Sequence, residues 1–269
     1  MQTAFIASKV ALTLVILLYA SWRDHKTREV SNRVWAVYAP IALCLSLGEL
    51  LLYEPAQLPF YGFSFGITAV FALLLFYSGG FGGADSKALM CIAIALPFST
   101  QRLFTPLTSS GVSPLSQNLF PLTIFSNSVL FAAASGLYML LRNFAKRVST
   151  GKKLFEGSLG SCSTGKKLVV LVTGYRVPVA RLKEKWHVYP MEDLEFDGDQ
   201  LSRKLVIVPR DEGRNEIVER LSDAIDSGKI SDFVWATPGL PMLIFITIGL
   251  IVALLFGDLV WILVSGVLG

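Results

Sequence analysis

Histidine and cysteine are scarce in this 269-residue chain, which has two of the first and three of the second. His25 and His187 lie in no His-Glu-x-x-His spacing, and no Cys-x-x-Cys pair exists. Neither a zinc peptidase nor a cysteine–histidine nucleophile is therefore expected. Both histidines read as solvated loop residues, Cys44 and Cys91 as small buried hydrophobes within apolar runs, and Cys162 as a lone thiol. Serine chemistry is not expected either, because no buried base stands near a loop serine. The glycine-rich stretch Gly79-Gly80-Phe81-Gly82-Gly83 lacks the Gly-Lys-Ser/Thr ending of a phosphate loop. No metal, cofactor or nucleic-acid partner is expected.

Charge is also in short supply. Only 16% of residues are charged, against roughly 25% in an ordinary soluble domain, and the mean hydropathy is +0.56. The charge is concentrated as well. Residues 142–232 hold 17 of the 24 Lys and Arg and 14 of the 20 Asp and Glu. What remains is long apolar runs, and crossing about 30 Å of hydrocarbon takes about 20 such residues. Six candidates follow, at about 4–22, 34–53, 61–78, 87–100, 120–141 and 240–268. The fourth is short, so it either starts below the membrane surface or runs past Pro97. The expectation is an all-α polytopic membrane protein of about six transmembrane helices, with a small cytoplasmic α/β insert before the last. Its domains would be 1–142, 143–237 and 238–269.

Basic residues in short loops set the orientation. Arg23, Lys26, Arg28 and Arg33 surround the first connection, the second has none, Lys87 marks the third, Arg102 the fourth, and the fifth is the charged insert. Odd connections are then cytoplasmic, and both termini lie outside. A cleaved secretory signal would carry its basic cluster before the apolar run; here the cluster follows it, with only Lys9 near the start.

Within the insert, 167–173 (KLVVLVT) and 204–208 (KLVIV) read as strands. Residues 212–227 place Ile217, Val218, Leu221, Ala224 and Ile225 at helical spacing. The Ser-, Gly- and Lys-rich residues 149–167 read as a flexible linker.

Two aspartates carry the chemistry. Asp24 closes the first apolar run, and Asp85 lies in Gly82-Gly83-Ala84-Asp85-Ser86-Lys87 between two later ones. Ionisable groups near hydrocarbon are costly and persist mostly where they face a bundle interior or a wet cavity. Singly, Asp85 reads as a helix N-cap and Asp24 as a charge facing Lys26 or Arg28. Together on the cytoplasmic side they form a different device. Two carboxyls sharing a site do not both ionise cheaply, so the pair titrates jointly. One member then activates water while the other polarises an amide carbonyl. Gly82 and Gly83 let an extended substrate backbone approach the acid. Lys87 reads either as a charge favouring ionised Asp85 or as a snorkelling surface lysine.

These residues resemble a family, the archaeal preflagellin and prepilin peptidases related to the bacterial type IV prepilin peptidases. Its first motif is similar to Asp24-His25-Lys26-Thr27-Arg28-Glu29-Val30-Ser31-Asn32, an aspartate followed by basic residues and Arg-x-Val-x-Asn. Its second, Gly-x-Gly-Asp-x-Lys, is similar to Gly82 through Lys87, with Ala84 in place of the second glycine. The resemblance implies that Asp24 and Asp85 are catalytic and that Gly82, Gly83, Ala84, Lys87, Arg28 and Asn32 shape the site. Alanine restricts left-handed backbone, which puts a strained turn at Ala84 in question. The implied partners are the lipid bilayer and pilin-like or archaellin precursors with a basic leader before an apolar helix. Cleavage would occur at the cytoplasmic face of the plasma membrane. The acidic run Glu192, Asp193, Glu195, Asp197 and Asp199 is a candidate for attracting that leader; it has the wrong ligand order for a calcium loop. The cysteine-bearing domain of bacterial relatives has no counterpart here, so no N-methyltransferase activity is expected.

Other readings remain. The presenilin-like aspartyl proteases also use an aspartate pair, but their Pro-Ala-Leu signature is missing. A small transporter or cation channel would use Asp24, Asp85 and Asp258, although such sites lie near the midplane of inverted repeats, and no repeat is evident. A membrane anchor for the insert would leave the carboxyl pair without a purpose.

Overall fold

The computed structural model describes residues 1–99, 103, 105–108, 112–151, 153–197, 200–207, 213–239 and 241–268. Thr100, Arg102, Lys152, Asp199, Val208, Glu212 and Leu240, which bear on the expectations above, lie outside the described residues. The chain divides into two compact units, 1–132 with 241–269, and 133–240.

The first unit holds the long helices α1 (Gln2–Thr27), α2 (Asn32–Tyr53) and α3 (Leu58–Tyr77), the short α4 (Gly83–Ala95) and α5 (Pro114–Asn118), the start of α6 (Phe120–Thr150), then α10 (Met242–Phe256) and α11 (Leu259–Leu268). Its outward faces carry Val15, Leu18, Val37, Leu51, Phe63 and Leu74, each more than half exposed. An apolar exterior around an apolar core is the pattern of a bundle solvated by lipid. Four described helices are long and apolar enough to span: α1, α2, α3 with its preceding turn, and α6. A fifth span exists if α10 and α11, bent by 61°, count as one. This is a multi-pass membrane protein.

Two of the six expected spans therefore take another form. The fourth starts earlier, at Gly83, and ends at Ala95; its 13 residues cover only about 20 Å. Lipid offers nothing to the carbonyls freed where a helix stops. Neighbours supply the donors instead. Ser46 Oγ bonds to the carbonyls of Ile94 (2.8 Å) and Ala95 (3.2 Å), Tyr61 Oη to Ile94 (3.2 Å), and Ser64 Oγ to Pro97 (3.1 Å). α4 can end there because it is the bundle's inner helix, with Ala88, Leu89, Ile92, Ala93 and Ala95 all fully buried.

The last expected span breaks at Gly257-Asp258. Asn127 bonds both sides of the break, donating to the Gly257 carbonyl (2.9 Å) and accepting from Leu259 N–H (3.0 Å). Asp258 accepts from Trp261 N–H (3.0 Å) and Ser113 Oγ (2.7 Å). Close approach of α6 and α10 depends on Gly249, where a Cβ would stand 2.3 Å from Ser128 Oγ and 2.5 Å from the Ile124 carbonyl oxygen. Cys91 is buried as expected, whereas Cys44 is exposed on the outer face.

The second unit continues along α6 and holds α7 (Thr164–Thr173), β1 (Tyr175–Pro178), α8 (Val179–Glu184), β2 (Tyr189–Pro190), β3 (Glu192–Asp197), β4 (Gln200–Leu205), α9 (Arg214–Asp226) and β5 (Phe233–Thr237). Strands β1 and β2 flank β5 in an antiparallel sheet, and β3 pairs with β4 as a hairpin. The helix expected at 212–227 is α9, and Val218, Leu221 and Ala224 are its buried positions.

Three expectations for the insert fail. Residues 167–173 form the greater part of α7, not a strand. Ser163 Oγ caps the start by accepting from Lys166 N–H (3.4 Å), and Asn143 Nδ2 ties the end through the Leu171 (2.9 Å) and Gly174 (2.8 Å) carbonyls. Tertiary contacts thus override the strand preference of the valines. The strand expected at 204–208 lies earlier, as β4. The expected flexible linker is folded, with Leu159 1% exposed in a 3-10 turn (Gly157–Ser161) and Ser158 Oγ accepting from Arg203 N–H at 2.7 Å.

Candidate active site

Asp24 occupies the last turn of α1, where free carbonyl ends make a negative charge unfavourable. Arg28 answers it, with Nη1 3.9 Å from Asp24 Oδ2 and its backbone N–H donating to the Asp24 carbonyl at 3.0 Å. Arg28 is the only described non-glycine residue at positive φ (55°), a conformation costing about 1–2 kcal/mol. It ends α1 and turns the chain towards α2, whose cap Ser31 accepts from Arg33 N–H at 3.3 Å. Ser21 fixes the preceding turn by bonding to the Leu243 carbonyl (2.9 Å) and Thr247 Oγ1 (2.7 Å) of α10.

Asp85 lies in the first turn of α4, after a loop set by Gly79 at φ 77°. The N-cap is Gly82, in extended conformation (φ −71°, ψ 160°), and Asp85 is three residues further in. Asp85 Oδ2 reaches back to accept from Gly82 N–H at 3.0 Å, one half of a capping box. A Cβ at Gly82 would stand 3.1 Å from that same oxygen, so any larger residue there would press on the acid, whereas no left-handed turn calls for glycine. Ala84 is helical, and the doubt over its replacing glycine is resolved: no positive φ is required at that position.

The two motifs meet at one end of the first unit. Lys87 Nζ donates to Asn32 Oδ1 at 2.6 Å, across 55 residues of sequence. The described hydrogen-bond partner of Lys87 is therefore Asn32 of the first motif. Asp24 and Arg28 both lie within electrostatic range of Asp85. Among the described residues, no hydrogen bond joins the two carboxylates. Gly82, Gly83 and Ala84 directly precede Asp85, and the Phe76 ring is 3.7 Å from where a Gly83 Cβ would be.

Other candidates fall elsewhere. A polar cavity of about 460 Å³ at the opposite end includes Gln2, Lys9, Glu49 and Glu54; its buried Lys9–Glu49 pair (2.5 Å) ties α1 to α2. Asp258 is a cap at the α10–α11 break, roughly 20 Å along α10 from the Ser21 contact. Gly62-Phe63-Ser64-Phe65-Gly66 spells Gly-x-Ser-x-Gly, but it lies within α3, and its Ser64 bonds to a carbonyl instead of standing on a strand-to-helix turn. The described carboxylates of the acidic run have cationic partners within the second unit. Glu192 is fully buried against Arg203, Asp193 pairs with Arg220 (2.9 Å) and Glu195 with Lys204 (3.2 Å); the Asp197 side chain and Asp199 lie outside the described residues. No three His, Cys, Asp or Glu side chains among the described residues cluster as metal ligands.

Residues 11–141, which include both aspartates, match the type IV leader peptidase family, and residues 166–259 match the archaeal peptidase A24 C-terminus type II. The chain belongs to the type IV leader peptidase family. It is similar over its length to archaeal members. The preflagellin peptidase of Methanococcus voltae is 29% identical over 252 residues, spanning 92% of this chain and 94% of that protein. The preflagellin peptidase of Methanococcus maripaludis is 25% identical, with 90% and 92% covered. That of Methanocaldococcus jannaschii is 23% identical, with 90% and 91% covered. The second family match runs through the insert into α10, so both units belong to the archaeal pattern.

Proposed function

We propose that the protein is an aspartic-type membrane endopeptidase that removes the short basic leader from archaellin or other pilin-like precursors. The observation that carries this reading is the meeting of both motifs at one end of the bundle, where Arg28 is within electrostatic range of Asp85 and beside Asp24. The relatives named preflagellin peptidase supply the substrate class.

The chemistry follows from two carboxyls sharing a site, one ionised and one protonated. The ionised carboxylate takes a proton from a water as its oxygen bonds to the scissile carbonyl carbon. The protonated one hydrogen-bonds to the carbonyl oxygen, which takes up the negative charge. Collapse of the tetrahedral intermediate breaks the C–N bond, the leaving nitrogen takes a proton from the dyad, and the pair returns to its starting state. The substrate's apolar helix stays in lipid beside the bundle, leaving the leader junction at the level of Asp24 and Asp85. The basic residues near both motifs support a cytoplasmic location for this end. Asp258, the further carboxylate a transporter would use, caps the α10–α11 break instead.

The deciding experiment incubates the full-length protein in lipid nanodiscs with a precursor bearing a basic leader. Asp24→Asn and Asp85→Asn should each lower leader removal by on the order of 1,000-fold or more while leaving the melting transition in place. Cleavage at wild-type rate in either folded variant would overturn the assignment. Sidedness is read separately: a cysteine placed at Glu29 should react with a membrane-impermeant thiol reagent from the cytoplasmic side only. Labelling from outside would reverse the orientation.

A further inference from the structure

The second unit contains a cavity of about 270 Å³ that includes four cationic side chains, Lys146, Arg147, Lys153 and Arg176, against one carboxylate, Glu156. Elsewhere in this unit the hairpin cations and Arg220 of α9 are matched: Arg203 with Glu192, Lys204 with Glu195, Arg220 with Asp193. Among the described residues, none of the four cavity cations is in a close ion pair; Arg176 lies within electrostatic range of the Glu192 carboxylate, which itself pairs with Arg203.

Arg176 is the most telling of them. It lies on β1 opposite Trp235 of β5, and its Nη2 makes only a long contact, 3.5 Å, with the Phe233 carbonyl. Its Nε is buried and has no acceptor among the described residues. A buried donor left unsatisfied costs about 1–3 kcal/mol. Trp235, 1% exposed, forms a fixed wall, stacked on Phe155 at 5.2 Å and donating from Nε1 to the Leu154 carbonyl at 3.3 Å. Basic residues in the last turns of a helix also complement its carbonyl end, which accounts for Lys146 and Arg147 on α6. It accounts for neither Lys153 nor Arg176.

We propose that this cavity is a binding site for a phosphate group. Guanidinium and ammonium donors converging beside an aromatic wall suit tetrahedral oxyanions. The volume, about 270 Å³, is just below the roughly 300–1,000 Å³ of sites for drug-sized ligands, which fits a small anion or a lipid headgroup and not a whole nucleotide. Both sources can reach it. α6 begins in an apolar run and is 31 residues long, or about 46 Å. Its turn at Lys146 thus lies about 8 Å beyond the end of that run near Leu141, at headgroup depth, where anionic lipids attract basic side chains by about 1 kcal/mol each.

The test uses the full-length protein in phosphatidylcholine nanodiscs. In one arm inorganic phosphate is titrated by calorimetry at fixed ionic strength, with chloride as control. In the other, nanodiscs contain graded phosphatidylglycerol and the lipid retained on extraction is counted by native mass spectrometry. The variants are Lys146→Gln with Lys153→Gln, both exposed and therefore safe for the fold, and Arg176→Gln. Saturable phosphate binding that weakens tenfold or more in the variants supports a free-anion site. Variant-sensitive retention of phosphatidylglycerol without phosphate binding supports a headgroup site. Absence of both, or binding in either arm that the variants leave unchanged, overturns the proposal.

Discussion

Replacing Ala84 with glycine restores the second glycine of the Gly-x-Gly-Asp pattern and sets two effects of opposite sign against each other. If the turn before Asp85 needed left-handed backbone at this position, alanine would be strained there by about 1–2 kcal/mol. Glycine would then stabilise the fold and raise the population of the competent site by roughly 5- to 30-fold, at 1.4 kcal/mol per factor of ten. The structure argues the reverse. Ala84 is the second residue of α4, helical and packed against the buried core of the first unit. Glycine there loses up to about 0.8 kcal/mol of methyl burial, less because the residue is only half-buried, and adds about 0.5–1 kcal/mol of backbone entropy cost. Ala84→Gly should therefore destabilise by about 1 kcal/mol, a fall of roughly 2–4 °C in Tm for a unit of this size. Leader removal should stay level or decline slightly. Differential scanning fluorimetry in nanodiscs, paired with initial rates on one precursor, reads both quantities. A higher Tm together with fivefold faster cleavage would refute the reasoning, because it would mean that alanine strains the site.

Asn32→Ala and Lys87→Met should each reduce leader removal, and together they should cost less than the sum, with a coupling of about 1 kcal/mol from the shared hydrogen bond; strict additivity in the double-mutant cycle would show that the bond at 2.6 Å does not operate in the working protein. Glu192 gives a pH dependence. Burial raises its pKa above the ordinary glutamate value, opposed by Arg203 and the Trp235 N–H. A carboxyl with a raised folded pKa stabilises fully below the unfolded value and loses that contribution as pH rises through the folded one. Hydrogen exchange of the β3 and β5 amides in the full-length protein should therefore speed up across that window beyond its intrinsic pH trend. Glu192→Gln, which stands in for the neutral acid, should remove this extra slope; an unchanged slope in the variant would assign the pH dependence elsewhere.

The helices that cross lipid unaided are legible in the chain because hydrocarbon imposes a length and a composition on each of them separately. α1, α2, α3 and α6 satisfy that test by themselves. α4 and the α10–α11 pair do not, and the reason is physical. A helix that stops short within a bundle depends on donors from other helices. Ser46, Tyr61 and Ser64 for α4, and Asn127 and Ser113 for the break at Gly257, lie far away in sequence. Hydropathy averages over both features. Gly257-Asp258 inside an apolar run was the one local sign of a break. In the insert, the valines of α7 prefer a strand locally, and the amide of Asn143 that overrides them is 28 residues from Leu171.

The same division explains the site. Asp24 and Asp85 are readable because each sits in a short motif at the end of an apolar run, where a carboxylate is expensive enough to demand a reason. What holds them is not readable. Arg28 answers Asp24 only because α1 ends in a left-handed residue, and Lys87 turns to Asn32 only because α2 and α4 start side by side. α4 supplies the decisive step: its buried apolar residues and the hydroxyls that satisfy its last carbonyls pin the helix at one end, which fixes the level at which its first turn presents Asp85. A helix long enough to span the membrane would need none of those hydroxyls. Ser46, Tyr61 and Ser64 therefore belong to the positioning of the acid as much as the glycines beside it do, although neither motif includes them.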